Sequence, residues 1–261
     1  MNATEDIQRA AITLREARAN RVPVSPVSAS HQLEGIEVAY QVAALNTQDK
    51  LASGRRIVGK KVGLTSRAVQ QQLGVNQPDF GVLFDDMEFL DGSEIPTENL
   101  IHPKIEAEVA FVLGKDLSGS SPTYGEFLNC LAYALPALEI VDSAIADWKI
   151  SLFDTVADNA SSALYVLGDQ PVSVGALAMA DLGMAMTRYG ETVSIGTGAA
   201  CLGHPLRAAY WLARTMSERE QGLKAGEVIL AGALGPMVPV HRGDLIQARI
   251  AALGTVNCRM G

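Results

Sequence analysis

An α+β fold is what this chain predicts, with a smaller helical N-terminal part over residues 1–55 and a β-rich body with inserted helices over residues 56–261. Three observations predict it. Apolar residues recur at helical spacing as far as Leu45. After Gly54 the texture changes to short apolar stretches separated by Gly-containing turns. Those stretches do not alternate regularly with helices, as they would in a parallel α/β protein.

Taken in order, Ile7, Ala11, Leu14 and Ala17 mark a first helix, and Leu33, Ile36, Ala39, Val42 and Leu45 a second. Between them "RVPVSPVSAS" carries enough Pro and Ser to be a loop. The strands begin with "RIVGKKVGL" and continue through "FGVLFDDMEFLDGSEI", "IEAEVAFVL" and "SALYVLG". Two helices interrupt them. "SPTYGEFLNCLAYAL" reads as a helix leading directly into a strand at "PALEIVD". "GHPLRAAYWLARTMSERE" reads as a helix with Leu206, Ala209, Leu212 and Ala213 inward. The terminal "GEVILAGALGPMVPVHRGDLIQARIAALGTVNCRM" reads as successive strands with Gly turns. There is no internal repeat.

Hydrophobic residues make up 48% of the chain and charged residues 19%, the balance of a globular protein and not of a disordered one. The formal charge of −8 argues against nucleic acid as the partner, because phosphate binding needs a basic face. "MNATEDIQRAAITLREARAN" lacks the apolar core of a signal peptide, and no apolar run reaches membrane length, so a cytoplasmic location is expected. Cys130, Cys201 and Cys258 are widely spaced and odd in number, as reduced thiols would be.

The chemistry centres on "IHPKIEAEVAFVLGKDL". Val109 to Leu113 is continuously apolar, as in a strand buried on both faces, yet Glu106 and Glu108 precede it. Alternation puts both carboxylates on one face, where they repel each other unless something positive sits between them. Glu139, in the apolar "PALEIVDS", is a third carboxylate of the same kind. Three such groups match a hard divalent cation such as Mg²⁺, which takes oxygen ligands and leaves positions open. Lys60 and Lys61 fall on opposite faces of their strand, so one can face solvent and the other the interior. Asp79 follows Pro78 and reads as a turn or cap residue. Cys201 and His204 form a lone C-x-x-H with no second pair, so His204, before Pro205, reads as a helix cap and not as a zinc ligand. No Ser-His-Asp order and no phosphate loop can be built.

Six stretches, "KVGLTSRAVQQQLGVNQPDFGVLF", "HPKIEAEVAFVL", "LPALEIVDS", "DTVADNASSALYVLG", "CLGHPLRAAYWLAR" and "GALGPMV", together resemble the 2-hydroxypenta-2,4-dienoate (2-keto-4-pentenoate, vinylpyruvate) hydratases of the fumarylacetoacetate hydrolase superfamily. The resemblance runs from about residue 30 to about residue 255. It implies a mixed β-roll core with a smaller helical N-terminal part. It also implies Mg²⁺ or Mn²⁺ held by Glu106, Glu108 and Glu139, with Lys61 and Asp79 catalytic and Ser161 on the substrate. The expected reaction is water addition to 2-hydroxypenta-2,4-dienoate in meta-cleavage degradation of aromatic compounds. The expected partners are a small anionic 2-hydroxydienoate or 2-oxo acid, further copies of the chain, and a pathway decarboxylase. A 2-oxo-3-hexenedioate (4-oxalocrotonate) decarboxylase is the alternative, and a non-catalytic partner subunit of a hydratase–decarboxylase assembly the second. One departure stands out: many relatives have Arg after the Ser of "VDSRI", where this chain has Ala144.

Overall fold

The computed structural model describes residues 3–72 and 75–261. Its helices and strands, in chain order, are α1 (Ala3–Asn20), α2 (Val27–Ser30), α3 (Ile36–Ala52), β1 (Ile57–Gly63), α4 (Arg67–Gln72), β2 (Asp79–Phe84), β3 (Glu88–Leu90), β4 (Glu94–Ile95) and β5 (Lys104–Leu113). Then come α5 (Tyr124–Cys130), β6 (Leu131–Val141), α6 (Leu152–Ala157), β7 (Ser162–Leu167), β8 (Gly183–Arg188), β9 (Glu191–Thr197), α7 (Pro205–Glu218), β10 (Val228–Ala233), β11 (Val238–Pro239), β12 (Leu245–Ile250) and β13 (Gly254–Met260).

Among the described residues the strands form two mixed sheets. The larger has the order β2-β1-β10-β5-β6-β7-β3, with β11 added to β5, and the smaller has the order β4-β13-β12-β8-β9. Helices and mixed sheets together are the α+β architecture expected. The long antiparallel β5–β6 pair lies at the centre of the larger sheet, covered on both sides, which is why its residues from Ala107 to Leu113 and from Ala134 to Val141 are buried. Its apolar face and that of the smaller sheet close one core, which includes Phe111, Leu138, Met186, Ile246 and Val256 and is lined along one side by Leu206, Ala209, Leu212 and Ala213 of α7. Those four α7 residues are the ones whose spacing predicted an inward face. His204 caps that helix, its ring nitrogen accepting from the Leu206 N–H at 3.3 Å.

A second core joins Ala10, Ala11, Leu14 and Ala17 of α1 to Ala39 and Val42 of α3, and to Phe153, Val156 and Ala157 of α6. Acidic Glu5 and Asp6 in the first turn of α1 and Arg18 in its last complement the helix dipole. Helix α6 begins at a capping box, in which Ser151 and Asp154 each bond the other's backbone N–H.

The structure corrects the sequence reading in three places here. The helix expected over "SPTYGEFLNCLAYAL" stops at Cys130, and β6 begins at Leu131, five residues before Pro136. Leu131, Tyr133 and Leu135 fall at strand spacing while Leu131, Ala134 and Leu135 fall at helix spacing, and pairing with β5 decides between them. The loop "RVPVSPVSAS" contains the single turn α2. The β8–β9 hairpin was not anticipated, although Tyr189 (φ 51°) and Gly190 (φ 84°) form the left-handed pair that a tight two-residue hairpin requires.

Candidate active site

Strand register assembles the site. Glu106 on β5 sits directly opposite Glu139 on β6. Glu108, two positions along, shares the face of Glu106, and its Oε2 accepts the Gly232 N–H of β10 at 2.7 Å. Gly232 holds φ at +108°, and a Cβ there would meet the Thr65 hydroxyl at 2.4 Å, so only glycine lets β10 approach Glu108 this way. On β1, Lys61 turns inward and places Nζ 3.2 Å from Glu139 Oε1. Asp79 pairs with Gly63 across β1 and β2, and a Cβ on Gly63 would lie 2.1 Å from Asp79 Oδ1. The missing side chain at position 63 is the space the Asp79 carboxylate occupies.

The three glutamates can each offer an oxygen within 4.8 Å of the others'. Glu108 and Glu139 are fully buried, and Glu106 borders a cavity of about 440 Å³. Four buried carboxylate oxygens have no hydrogen-bond donor: Glu108 Oε1, both oxygens of Glu139, and Asp79 Oδ1. Glu139 Oε1 has the Lys61 ammonium at 3.2 Å, but the other three have no ion-pair partner among the described residues. Such oxygens are costly in an interior, and an all-oxygen set at this spacing suits a hard divalent cation. The residues fit a metal ion.

The field of the cluster is visible in its proton affinities. Burial raises the Glu106 carboxyl, Glu139 raises it further, and Lys61 opposes them, leaving it at about 7. Burial, then Glu139 and Glu106, push Glu108 well above the ordinary range against the pull of the Gly232 N–H. Burial also raises Asp79, to about 6, against the attraction of Lys61. Burial works against the charge on Lys61, but Glu139, Asp79, Glu106 and Glu108 outweigh it and keep the ammonium protonated above the usual lysine range.

Each residue singled out from the sequence can now be placed. Lys61, Asp79, Glu106 and Ser161 all line the one cavity, with Glu108 and Glu139 beside it. Asp79 is the first residue of β2 and not a turn residue. Lys60 does not face solvent: it is buried on the opposite side of β1, where Nζ meets Glu227 at 2.9 Å. Ala144 lies outside the cavity, fully buried with α1, α3 and α6, and its N–H donates to Asp158 Oδ2 at 2.8 Å. Cys130, Cys201 and Cys258 are free and buried. No described helix is long and apolar enough to cross a membrane.

Sequence reasoning missed several wall residues. Thr65, Ser66 and Thr155 add hydroxyls to the cavity, and the Thr155 Oγ1 lies 3.3 Å from the Ser161 Oγ. Trp148 forms part of an apolar side with Val141, Ile150, Pro236 and Met237. It is fixed by a hydrogen bond from its Nε1 to the His102 carbonyl (3.1 Å) and by the Lys104 ammonium, 4.2 Å from its ring centre. Its only sequence signal is rarity, since the chain has two tryptophans.

Comparison with known proteins shows the family of this chain. The C-terminal domain model of fumarylacetoacetate hydrolase matches residues 56–260. The 2-keto-4-pentenoate hydratase of Paraburkholderia xenovorans (strain LB400) is 52% identical over 249 residues, 95% of this chain and 93% of that one. The 2-hydroxyhexa-2,4-dienoate hydratase of Comamonas testosteroni is 42% identical, again over 95% and 93%. Among solved structures, the 4-oxalocrotonate decarboxylase of Pseudomonas putida G7, complexed with magnesium and adipate, superposes with a TM-score of 0.94 at 35% identity, covering 100% of this chain and 99% of that one. This chain belongs to the fumarylacetoacetate hydrolase family, alongside its 2-keto-4-pentenoate hydratase members.

Proposed function

We propose that the protein is a metal-dependent hydro-lyase that adds water to 2-hydroxypenta-2,4-dienoate to give 4-hydroxy-2-oxopentanoate, a step in meta-cleavage breakdown of aromatic compounds. The observation that carries the choice is the distribution of charge in the cavity. Among the described residues lining it, Lys61 is the one cation, and it stands at the carboxylate end, while the side bounded by Trp148, Ile150 and Met237 is apolar. That suits a substrate with one carboxylate and an uncharged diene tail. A dioate would place its second carboxylate against apolar walls, at a cost of several kcal/mol (roughly, from unpaired charge burial).

Glu106, Glu108 and Glu139 are the proposed ligands of Mg²⁺ or Mn²⁺. When bound, that ion supplies a Lewis acid for the substrate's carboxylate and 2-oxygen. Three carboxylates and one divalent cation sum to −1, so Lys61, held protonated, offsets the excess and the charge that develops on the 2-oxygen. Asp79, with its carboxyl at about 6, is poised to hold or release a proton near neutral pH, serving protonation at C5 or orientation of the water that adds at C4. Ser161 donates a hydrogen bond to substrate, its hydroxyl steadied by Thr155. The family resemblance further suggests a cytoplasmic homo-oligomer that associates with a pathway decarboxylase.

The second reading, a 2-oxo-3-hexenedioate decarboxylase, is favoured by the close superposition on the Pseudomonas putida enzyme. One experiment separates them. The ultraviolet absorbance of 2-hydroxypenta-2,4-dienoate is followed with Mg²⁺ or Mn²⁺ and with a chelator, beside a parallel cuvette of 2-oxo-3-hexenedioate. Metal-dependent loss of the dienoate is expected. Consumption of the dioate alone, with CO₂ released, would establish the decarboxylase, and inactivity on both with no metal bound would favour the scaffold subunit.

A further inference from the structure

Ser161 stands on an unusual piece of backbone. Asn159, Ala160 and Ser161 are three consecutive non-glycine residues in the left-handed region, at φ 55°, 52° and 54°. Such residues occur singly in turns, and Asn tolerates the conformation better than Ala or Ser. A run of three persists only where the surroundings hold it, and such runs gather at functional sites.

Two side chains supply the hold. The Asn159 amide bonds Val82 of β2 twice: Oδ1 accepts the Val82 N–H at 2.7 Å, and Nδ2 donates to the Val82 carbonyl at 2.9 Å. Strand β2 is the edge of the larger sheet, so the amide takes the place a further strand would occupy. The turn rides close on that edge, because a Cβ on Gly81 would lie 2.4 Å from the Asn159 carbonyl. Gly81 is in register with Lys61, so the contact fixes the turn against β2, the strand paired with the one that carries the lysine. On the other side Arg18 of α1 grips Asp158 through two bonds of 2.8 Å, and the Ala144 N–H bonds the same carboxylate. The Asp158 carbonyl then accepts the Ser161 N–H at 3.0 Å, closing the turn.

We infer that Asn159 is a positioning residue: its amide, locked on the Val82 peptide groups, forces the left-handed turn that aims the Ser161 hydroxyl into the cavity, with the Arg18–Asp158 pair as the second clamp. This rests on the reading of Ser161 as a substrate contact. Asn159 does not line the catalytic cavity and acts only through Ser161, which makes the inference separable from general loosening of the fold. Relaxation of the turn toward ordinary φ values would swing the hydroxyl away from substrate.

The test is a double-mutant cycle with N159A, S161A and the double variant. Two readouts are used on the Mg²⁺-loaded protein: kcat/KM with the dienoate, and the Kd of the unreactive saturated analogue 2-oxopentanoate, which remains measurable if turnover is lost. N159A is expected to lower kcat/KM at least roughly tenfold, as a misplaced contact does. In the S161A background the same change should cost less than about twofold, because the residue it positions is gone. Mg²⁺ affinity should stay unchanged, since the carboxylates stand on β5 and β6. N159D keeps the acceptor for the Val82 N–H but sets a carboxylate oxygen against the Val82 carbonyl, so it should lose at least as much as N159A. An equal loss in both backgrounds, or no loss from N159A, overturns the inference. If S161A itself alters neither readout, the reading of Ser161 fails, and any N159A effect then has another origin. Should N159A not fold, R18Q in the same cycle tests the same turn from its other side, with the same expected non-additivity.

Discussion

With its metal removed, the protein should become less stable as the pH rises through the weakly acidic range. The perturbation is chelation, followed by titration. In the folded chain the Glu106 carboxyl is raised from 4.5 to about 7 and the Asp79 carboxyl from 3.8 to about 6. In the unfolded chain both ionise near their ordinary values. Between about pH 4 and pH 7 the folded state therefore binds more protons than the unfolded one, and stability must fall as pH rises across that window. At 1.36 kcal/mol per pKa unit, each group contributes on the order of 3 kcal/mol. The two share the field of Lys61 and Glu139, so their joint effect is a few kcal/mol and not a strict sum. For a chain of this size that corresponds to a drop of roughly 5–10 °C in Tm.

Bound metal reverses the trend, because it favours ionised carboxylates and binds only the folded state; at about 1,000 times its Kd it contributes roughly 4 kcal/mol. The assay is thermal unfolding in chelator and in excess Mg²⁺ across the window, for wild type and for E106Q. The gap between the two Tm curves should widen with pH. The chelated E106Q protein should show a shallower decline than chelated wild type, because it loses both the Glu106 titration and the repulsion by which Glu106 helps raise Glu108. A chelated protein as stable above pH 7 as at about pH 5, or an E106Q slope equal to that of wild type, would refute the account of the cluster.

Two further substitutions probe the same cavity. K61M should lower kcat by roughly 10²–10⁴-fold while Mg²⁺ affinity, measured by calorimetry, changes far less, because the lysine offsets charge on the substrate and is not itself a ligand; a larger effect on metal binding would assign it a structural role. G63A should displace the Asp79 carboxylate, since the new Cβ would fall 2.1 Å from its Oδ1, and kcat should fall at least about tenfold with the Mg²⁺-bound Tm little altered; unchanged kcat would remove Asp79 from the proton-handling role.

What could be read from the sequence divides along a physical line. Glu106, Glu108 and Glu139 were legible because a carboxylate inside an apolar strand violates the pattern around it, and strand alternation alone puts two of them on one face. The facing of Glu106 and Glu139 was not legible, since it depends on register between β5 and β6, and no local signal sets that. The same limit explains Lys60. Alternation correctly sent the two lysines to opposite faces, but a covered sheet has no solvent side, and Lys60 found Glu227 instead. Asp79 looked like a turn residue because Pro78 precedes it, and the pairing with Gly63 made it a strand residue. The helix-to-strand boundary at Cys130 failed for a related reason, as "LAYAL" satisfies both periodicities and only the neighbouring strand chooses.

Residues that act through backbone geometry were the least visible. Gly63 and Gly232 look like ordinary strand glycines until the groups that would collide with a side chain are in place. Asn159 resembles any polar loop residue, although its amide does the work of a missing strand on Val82. Such residues carry no charge to stand out and no period to break, so their roles emerge only when distant segments meet. The sequence pattern therefore exposes the groups proposed to do chemistry, because burying a charge is locally conspicuous. It hides the groups that aim them, because aiming is a property of contacts between β1, β2 and the turn before β7. A neutral side chain bonded to a strand edge beside the cavity, as Asn159 is to Val82, can therefore hold the geometry that the buried charges use.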